Sequence, residues 1–306
     1  MDMVGFNKLL PHARAGKFAI GAFNFCNAET LQAIVEAAQE EDSPVIGIVG
    51  PLEVPLLGPR LIACIAESVA ANAKVPVCLH LDHAPSIEMV RECLEAGFPS
   101  VMIDGSHLPF EQNVALTRRA VELARSYGAA VEGELGALGR TDGLLGEGNN
   151  GESSLTDPSE AREFTQRTGV DALAVSVGNA HGLYRSKPDL DFGRLQEILD
   201  TVDVPVVLHG GTGIPKDQFS RAIAMGMCKV NVATELVLCY SDAMKQALAE
   251  MNGSIWPATV LQDVKHRMTS VVRRWINELG SAGKAGVIAA HNAESPRWAA
   301  SGAAHG

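Results

Sequence analysis

A chain of 306 residues, 46% of them hydrophobic, can bury a core large enough for one big α/β barrel or for two ordinary domains. Its 25 basic and 36 acidic side chains give a formal net charge of −11, which excludes the electrostatic footprint of a duplex-binding protein, so no nucleic-acid partner is expected. An anionic substrate would have to be held by backbone N–H groups, helix N-termini or a metal, because the overall field repels it.

In chain order, short apolar or β-branched runs occur at FAIGAF (18–23), PVIGIV (44–49), VPVCLHL (75–81), SVMID (100–104), AAVEGEL (129–135), ALAVSV (172–177), VPVVLH (204–209) and CKVNVA (228–233). Segments of helical spacing lie between them, from ETLQAIVEAAQEE after the first run to PKDQFSRAIAMG after the seventh. Asp157 before Pro158 suits a helix N-cap with proline in the first helical position. Gly97, Gly128, Gly169 and Gly226 suit helix C-termini. Nearly continuous apolar strands, each followed by a helix, argue for a parallel sheet covered by helices. A single (β/α)8 TIM barrel is the economical α/β fold at this length; a doubly wound open sheet is the structural competitor.

Two regions fall outside the repeat. Residues 136–155, rich in Gly, Asn and Ser, interrupt the fifth strand and its helix, and a loop of that length is expected to be functional or mobile. After the eighth strand, TELVLCYSDAMKQALAEM and VLQDVKHRMTSVVRRWINELG read as two extra long helices. The second exceeds the needs of the barrel and is a candidate subunit contact. The expected organisation is one domain over residues 1–285 and a disordered tail over 286–306. Six cysteines form no C-x-x-C pair and read as reduced thiols. With no signal-peptide pattern and no long apolar run, the chain is expected to be cytoplasmic and soluble, with no membrane partner.

In such a barrel, reactive groups collect at the C-terminal ends of the strands. Strand three ends in His80, Asp82 and His83, strand four in Asp104, and strand five in Glu132 and Glu134. Strand six leads to His181, strand seven ends in His209, and strand eight carries Asn231. Histidines from three separate strands, with carboxylates on two intervening ones, form a Zn2+-type set with room for a substrate oxygen. HGGTGIP (209–215) and NVATEL (231–236) follow strands seven and eight, whose loops commonly bind phosphate. Gly210, Gly211 and Gly213 let several N–H groups converge on an anion, and Thr212 and Thr234 add hydroxyls near helix N-termini.

Seven motifs in register carry a resemblance: GAFNF (21–25), HLDHAPS (80–86), VMIDGSHLPFEQN (101–113), VEGELG (131–136), VGNAHGLY (177–184), VVLHGGTGIP (206–215) and KVNVATEL (229–236). Over roughly residues 1–280 the chain resembles the class II, metal-dependent ketose-bisphosphate aldolases, and NVATEL with HGLY leans toward the tagatose-bisphosphate branch. The resemblance implies a carbon–carbon lyase that reversibly cleaves a fructose or tagatose 1,6-bisphosphate to dihydroxyacetone phosphate and glyceraldehyde 3-phosphate. It implies metal ligands at His83, His181 and His209, a second or alternative metal position flanked by Asp104 and Glu134, and a catalytic Asp82. It implies one catalytic Zn2+, with room for a monovalent cation, and a homodimer or homotetramer. Substrate contacts fall on Gly182, on Gly210, Gly211 and Thr212, and on Asn231, Val232, Ala233 and Thr234, with Asn24 as a further candidate. The family's mobile-loop glutamate falls on Asp142, one methylene shorter, with Glu147 and Glu152 as rivals. Arg273 roughly matches an arginine that reaches the far phosphate across a subunit interface; a solvated helix face is the other reading of that residue.

Four other readings compete. A Schiff-base aldolase needs a buried lysine of lowered pKa, and Lys229 is the one strand lysine. A metal-dependent hydrolase would carry an H-x-H pair on strand one, which AIGAFN lacks. A noncatalytic sugar-phosphate-binding barrel, or the same chemistry on another phosphorylated ketose or aldehyde acceptor, completes the set. The HLDHAP stretch poses the sharpest problem. Strand periodicity puts His80 and Asp82 on one face and His83 on the other, and so favours His80 as ligand. The resemblance favours His83, which requires the chain to bend as it leaves the sheet.

Overall fold

The computed structural model describes residues 2–139, 153–184, 187–250 and 256–287. Asp142, Glu147 and Glu152 lie outside the described residues, as does residues 288–306 of the expected tail. Eight parallel strands close into a barrel in sequence order: β1 (Ile20–Asn24), β2 (Val45–Val49), β3 (Val77–Ala84), β4 (Ser100–Ile103), β5 (Ala130–Leu135), β6 (Ala172–Val175), β7 (Val206–Leu208) and β8 (Met227–Val232). The eight apolar runs thus coincide with the strands, and the open-sheet alternative fails because β8 pairs with β1 through Ile20 opposite Lys229 to Phe23 opposite Val232.

Each crossover helix packs its apolar stripe on the sheet. They are α2 (Ala28–Glu40), α4 (Pro59–Ala71), α5 (Ile87–Glu95), α6 (Phe110–Arg125), α7 (Pro158–Thr168), α8 (Phe192–Thr201) and α9 (Lys216–Met225). The expected caps are in place. Asp157 accepts from the N–H groups of Ser159 and Glu160 with Pro158 in the first turn, and Gly169 ends the same helix at φ 72°.

Three short elements escape the sequence reading. α3 (Glu53–Leu57) precedes α4 at the mouth of the barrel. At the other end, a 3-10 turn over Phe6–Lys8 and α1 (Leu10–Gly16) plug the barrel floor. Phe6, Leu9, Leu10, Ala13 and Phe18 pack there with interior residues such as Ile46, Cys78, Ala130, Ala174 and Cys228. Small interior side chains leave space that the N-terminal segment fills, so the first residues are part of the core and not a mere leader to it.

Sequence spacing marks the second long C-terminal helix as surplus; the structure reverses the order. α11 (Pro257–Leu279) packs against α2, α9 and β1, and so completes the helical ring. Its stripe of Val260, Val264, Met268, Val272, Trp275, Ile276 and Leu279 is buried. Each such side chain contributes about 1.5–3 kcal/mol of gross hydrophobic stabilisation. α10 (Thr234–Glu250) packs chiefly on α11 and buries only Thr234, Leu236 and Ala243, which makes it the projecting helix. Beyond α11, the N–H groups of Gly283 and Ala285 bond to the carbonyls of Glu41 and Asp42, tying the chain down to the end of the expected domain.

Candidate active site

The strand ends surround a cavity of about 800 Å3 at the C-terminal mouth of the barrel. Asn24, Asp82, His83, Asp104, Glu134, His181, Gly182, Gly210, Gly211, Thr212, Asn231, Ala233 and Thr234 all line it. Val232 is buried in β8 and does not line the cavity, and Arg273 lies on the outer face of α11, bound to Glu40 at 2.9 Å and Glu41 at 2.7 Å.

The bend demanded of β3 is present. Between Leu81 and Ala84 the β3–β4 register shifts, with three residues advancing on β3 against two on β4, and His83 takes φ 47°. A bulge with a left-handed residue re-aims a side chain at a strand end, and here it turns His83 into the mouth beside Asp82. His80 remains in the barrel interior. It is fully buried, its Nδ1 is 3.1 Å from Ser100 Oγ, and its ring meets Phe6 edge-on. Burial first, then the Lys229 ammonium, push His80 down to about 3, so it is a neutral packing residue.

His83, His181 and His209 bring one nitrogen each within 4.8 Å of one another, and His83, Asp104 and Glu134 form an overlapping set. Hydrogen bonds behind the rings select the tautomers. His83 Nδ1 is 2.8 Å from Asp104 Oδ2, and His209 Nε2 is 2.8 Å from Glu132 Oε1. The opposite nitrogens, His83 Nε2 and His209 Nδ1, are buried without a hydrogen-bond partner, as is Glu134 Oε2. His209 Nδ1 and Glu134 Oε2 lie only 3.0 Å apart, yet their directions do not form a hydrogen bond. Two lone pairs converging at that distance call for a positive charge between them, either a proton or a metal ion. The donor set of three imidazoles with nearby carboxylates therefore fits a divalent metal of the zinc type.

Electrostatics point the same way. Burial works against a charge on His83, but Asp82, Asp104 and Glu134 outweigh it and push its pKa up to about 10. For His209 burial is likewise opposed by Glu132 and Glu134, which raise it. Burial raises Glu134, reinforced by the Asp104 charge. Asp82 is lowered: burial opposes its charge, but His83, then His209 and Lys229, prevail.

Loops at β6 and β7 are fastened together. The Asn179 side chain donates to the His209 carbonyl at 3.0 Å, and the Tyr184 hydroxyl accepts from the Ala180 N–H and donates to the Gly210 carbonyl. Gly210 sits at φ 67°, and a Cβ there would lie 2.0 Å from the Ala180 carbonyl oxygen, so only glycine fits. The Gly211 N–H is taken by the Asn231 carbonyl at 3.0 Å, and Thr212 Oγ1 accepts from the Glu235 N–H. The remaining N–H groups of this loop and of the α10 N-terminus, together with the Thr212 and Thr234 hydroxyls, form the anion-attracting corner of the cavity.

Residues 4–284 match the family model "Fructose-bisphosphate aldolase class-II". The chain belongs to this family. It is a class II aldolase, a metal-dependent carbon–carbon lyase of ketose bisphosphates. Across 278 residues it is 43% identical to the D-tagatose-1,6-bisphosphate aldolase subunit GatY of Klebsiella oxytoca, covering 91% of this chain and 97% of the relative. The aldolase superposes on the crystal structure of the YdjI aldolase from Escherichia coli K12 with a TM-score of 0.82 and 34% identity, over 92% of this chain and 99% of that one. The fructose-bisphosphate aldolase of Campylobacter jejuni shares the fold, with a TM-score of 0.77 at 22% identity over 92% and 96% of the two chains.

The Schiff-base alternative also fails on geometry. Lys229 is fully buried and does not line the cavity, and its ammonium is taken up 2.8 Å from Glu132 Oε2 and by donating to Asn231 Oδ1 at 2.8 Å. Sequence reasoning placed Glu132 at a strand end without a role and gave none to Asn179 or Tyr184. The signal available was the alternation of β5, which puts Glu132 and Glu134 on one face.

Proposed function

We propose that this aldolase uses zinc, held by His83, His181 and His209, to cleave D-tagatose 1,6-bisphosphate reversibly into dihydroxyacetone phosphate and glyceraldehyde 3-phosphate. The observation that carries the metal set is the convergence of the unpartnered His83 Nε2 and His209 Nδ1 with His181, with Asp82 Oδ2 4.0 Å from His83 Nε2. The sugar is inferred from the 43% identity to a tagatose-bisphosphate aldolase subunit. Asp104 and Glu134 frame a second position reachable from His83.

A divalent ion bound there acts as a Lewis acid toward the negative charge that develops at the substrate carbonyl oxygen, worth several kcal/mol. Asp82 takes the C4 hydroxyl proton during cleavage and returns it during condensation. The Asn231 amide donates to its Oδ1 at 2.9 Å and holds it in place. The phosphate of the dihydroxyacetone half lies against Gly182, Gly210, Gly211, Thr212, Asn231, Ala233 and Thr234, where Thr212 and Thr234 offer hydroxyls. Asn24, at the end of β1 and next to β8 in the barrel, contacts the substrate beside them. Exchange of the C3 proton is assigned to Asp142, with Glu147 and Glu152 as the other carboxylates of that loop.

The enzyme works as a cytoplasmic homodimer or homotetramer. The partly exposed Leu238 and the exposed Leu248 on the projecting α10 support a contact between copies, and six free cysteines suit a reducing compartment. Arg273 can serve a partner copy's cavity by exchanging Glu40 and Glu41 for a phosphate. A panel assay tests the substrate: zinc-loaded enzyme is offered tagatose 1,6-bisphosphate, fructose 1,6-bisphosphate and their monophosphates. The expected result is the highest kcat/KM for tagatose 1,6-bisphosphate; a preference of tenfold or more for any other member overturns that assignment.

A further inference from the structure

Below the metal ligands, a line of polar groups runs across the closed interior from β5 to β8 and back to β3. Glu132 binds His209 through one oxygen and lies 2.8 Å from the Lys229 ammonium through the other. Lys229 donates to Asn231 Oδ1 at 2.8 Å, and Asn231 Nδ2 donates to Asp82 Oδ1 at 2.9 Å. Residues 229 and 231 share the inward face of β8 because they are two apart on a strand.

Hydrogen-bond chemistry gives this line a direction. An ammonium only donates and an ionised carboxylate only accepts, so an amide between them has one satisfied orientation. Flipping the Asn231 amide would set its NH2 against the Lys229 ammonium and its oxygen against Asp82, breaking both bonds at once. Without the ammonium, nothing of fixed polarity would remain on the inner side of Asn231. We infer that Lys229 is a positioning residue for the aldol reaction: it locks the Asn231 amide, which in turn holds Oδ1 of Asp82 and leaves Oδ2 as the oxygen that exchanges the substrate proton. Lys229 thereby couples the carboxylate that orients His209 to the carboxylate that moves the proton. The inference rests on the assignment of Asp82 as proton carrier.

Removing Lys229 alone would leave Glu132 as an uncompensated buried charge and could disturb the fold. The test therefore adds Lys229→Met to a Glu132→Gln background: with both changes the glutamine oxygen still accepts from His209 Nε2 and neither buried charge is left alone, while Glu132→Gln by itself leaves the Lys229 ammonium without its carboxylate and is read against the unaltered enzyme. Four variants are compared: Glu132→Gln, Glu132→Gln with Lys229→Met, Glu132→Gln with Asn231→Ala, and the triple variant. Zinc content and thermal midpoint check that site and fold survive. With Asn231 present, Lys229→Met is expected to lower kcat at least tenfold while KM changes less than threefold. With Asn231→Ala present, the same change is expected to alter kcat less than twofold. An equal loss in both backgrounds, or no loss in either, overturns the inference.

A readout independent of turnover accompanies the kinetics. In 15N-asparagine-labelled protein, the side-chain NH2 of Asn231, identified by its absence in Asn231→Ala, should exchange with water at least tenfold faster after Lys229→Met. Unchanged exchange overturns the lock even if the kinetics shift. If Asp82→Asn retains full cleavage, the proton-carrier assignment fails, and the exchange measurement still decides whether Lys229 locks the amide.

Discussion

His83 earns its place in the site through one backbone feature, the left-handed φ of 47° at the β3 bulge. Neighbouring His80, three residues earlier, has the better strand register and the wrong address, inside the barrel with Ser100 and Phe6. Their substitutions should separate cleanly. His83→Ala is expected to lose bound zinc and cleavage together. His80→Ala should keep stoichiometric zinc while losing about 2–4 kcal/mol of stability from the cavity it opens. Metal analysis and denaturant titration of both variants check this, and equal loss of zinc from both contradicts the ligand assignment. Protons compete with metal for the same nitrogens. The metal-free His83 has a pKa of about 10, above the ordinary value of about 6.5, and His209 is also raised. At pH 8 zinc must therefore displace protons, so uptake should release at least one proton per ion. Apparent affinity should rise about tenfold per pH unit for each proton displaced, until the pH reaches about 10. The sign for metal-free stability is opposite: the raised histidine stabilises fully below its unfolded pKa, and that contribution is lost as pH rises through about 10. Calorimetry in two buffers of different ionisation enthalpy counts the protons.

Most elements were legible from periodicity because parallel strands buried on both faces read as unbroken apolar runs, and Asp157–Pro158 and Gly169 mark the ends of their helix without tertiary help. The His83 bend was legible only through the resemblance, since a bulge depends on how β3 meets β4 and not on the local pattern. Nor did the sequence disclose the plug by Phe6, Leu9 and Leu10, because a seven-residue helix has too few turns to display a stripe. The two C-terminal helices were both found, but which one closes the ring depends on the surface left between α2 and α9. This division gives a stability prediction. Ile276→Ala in α11 should cost about 2–5 kcal/mol, because it empties a core position. Leu248→Ala on exposed α10 should stay within about 0.5 kcal/mol in the isolated chain. Chemical denaturation midpoints of the two variants provide the check, and similar losses would contradict the roles given to these helices.

At the scale of the whole molecule, an acidic chain of net charge −11 handles an anionic sugar by concentrating opposing features at one end of the barrel. Glycine loops and a helix N-terminus face the cavity from β7 and β8, while His83 on β3 and His181 after β6 line it, with His209 buried at the end of β7 and one of its nitrogens within 4.8 Å of theirs. Glu132 is buried behind His209, and Asp104, at the cavity edge, binds His83; these two carboxylates set the ring tautomers. The central claim is metal-dependent carbon–carbon cleavage at this site. Its most direct test is to strip the protein with a chelator, assay ketose 1,6-bisphosphate cleavage with borohydride present, and then restore zinc. Cleavage to dihydroxyacetone phosphate and glyceraldehyde 3-phosphate should vanish on chelation and return with about one zinc per chain. Activity that survives chelation and becomes trapped on a lysine by borohydride would contradict it.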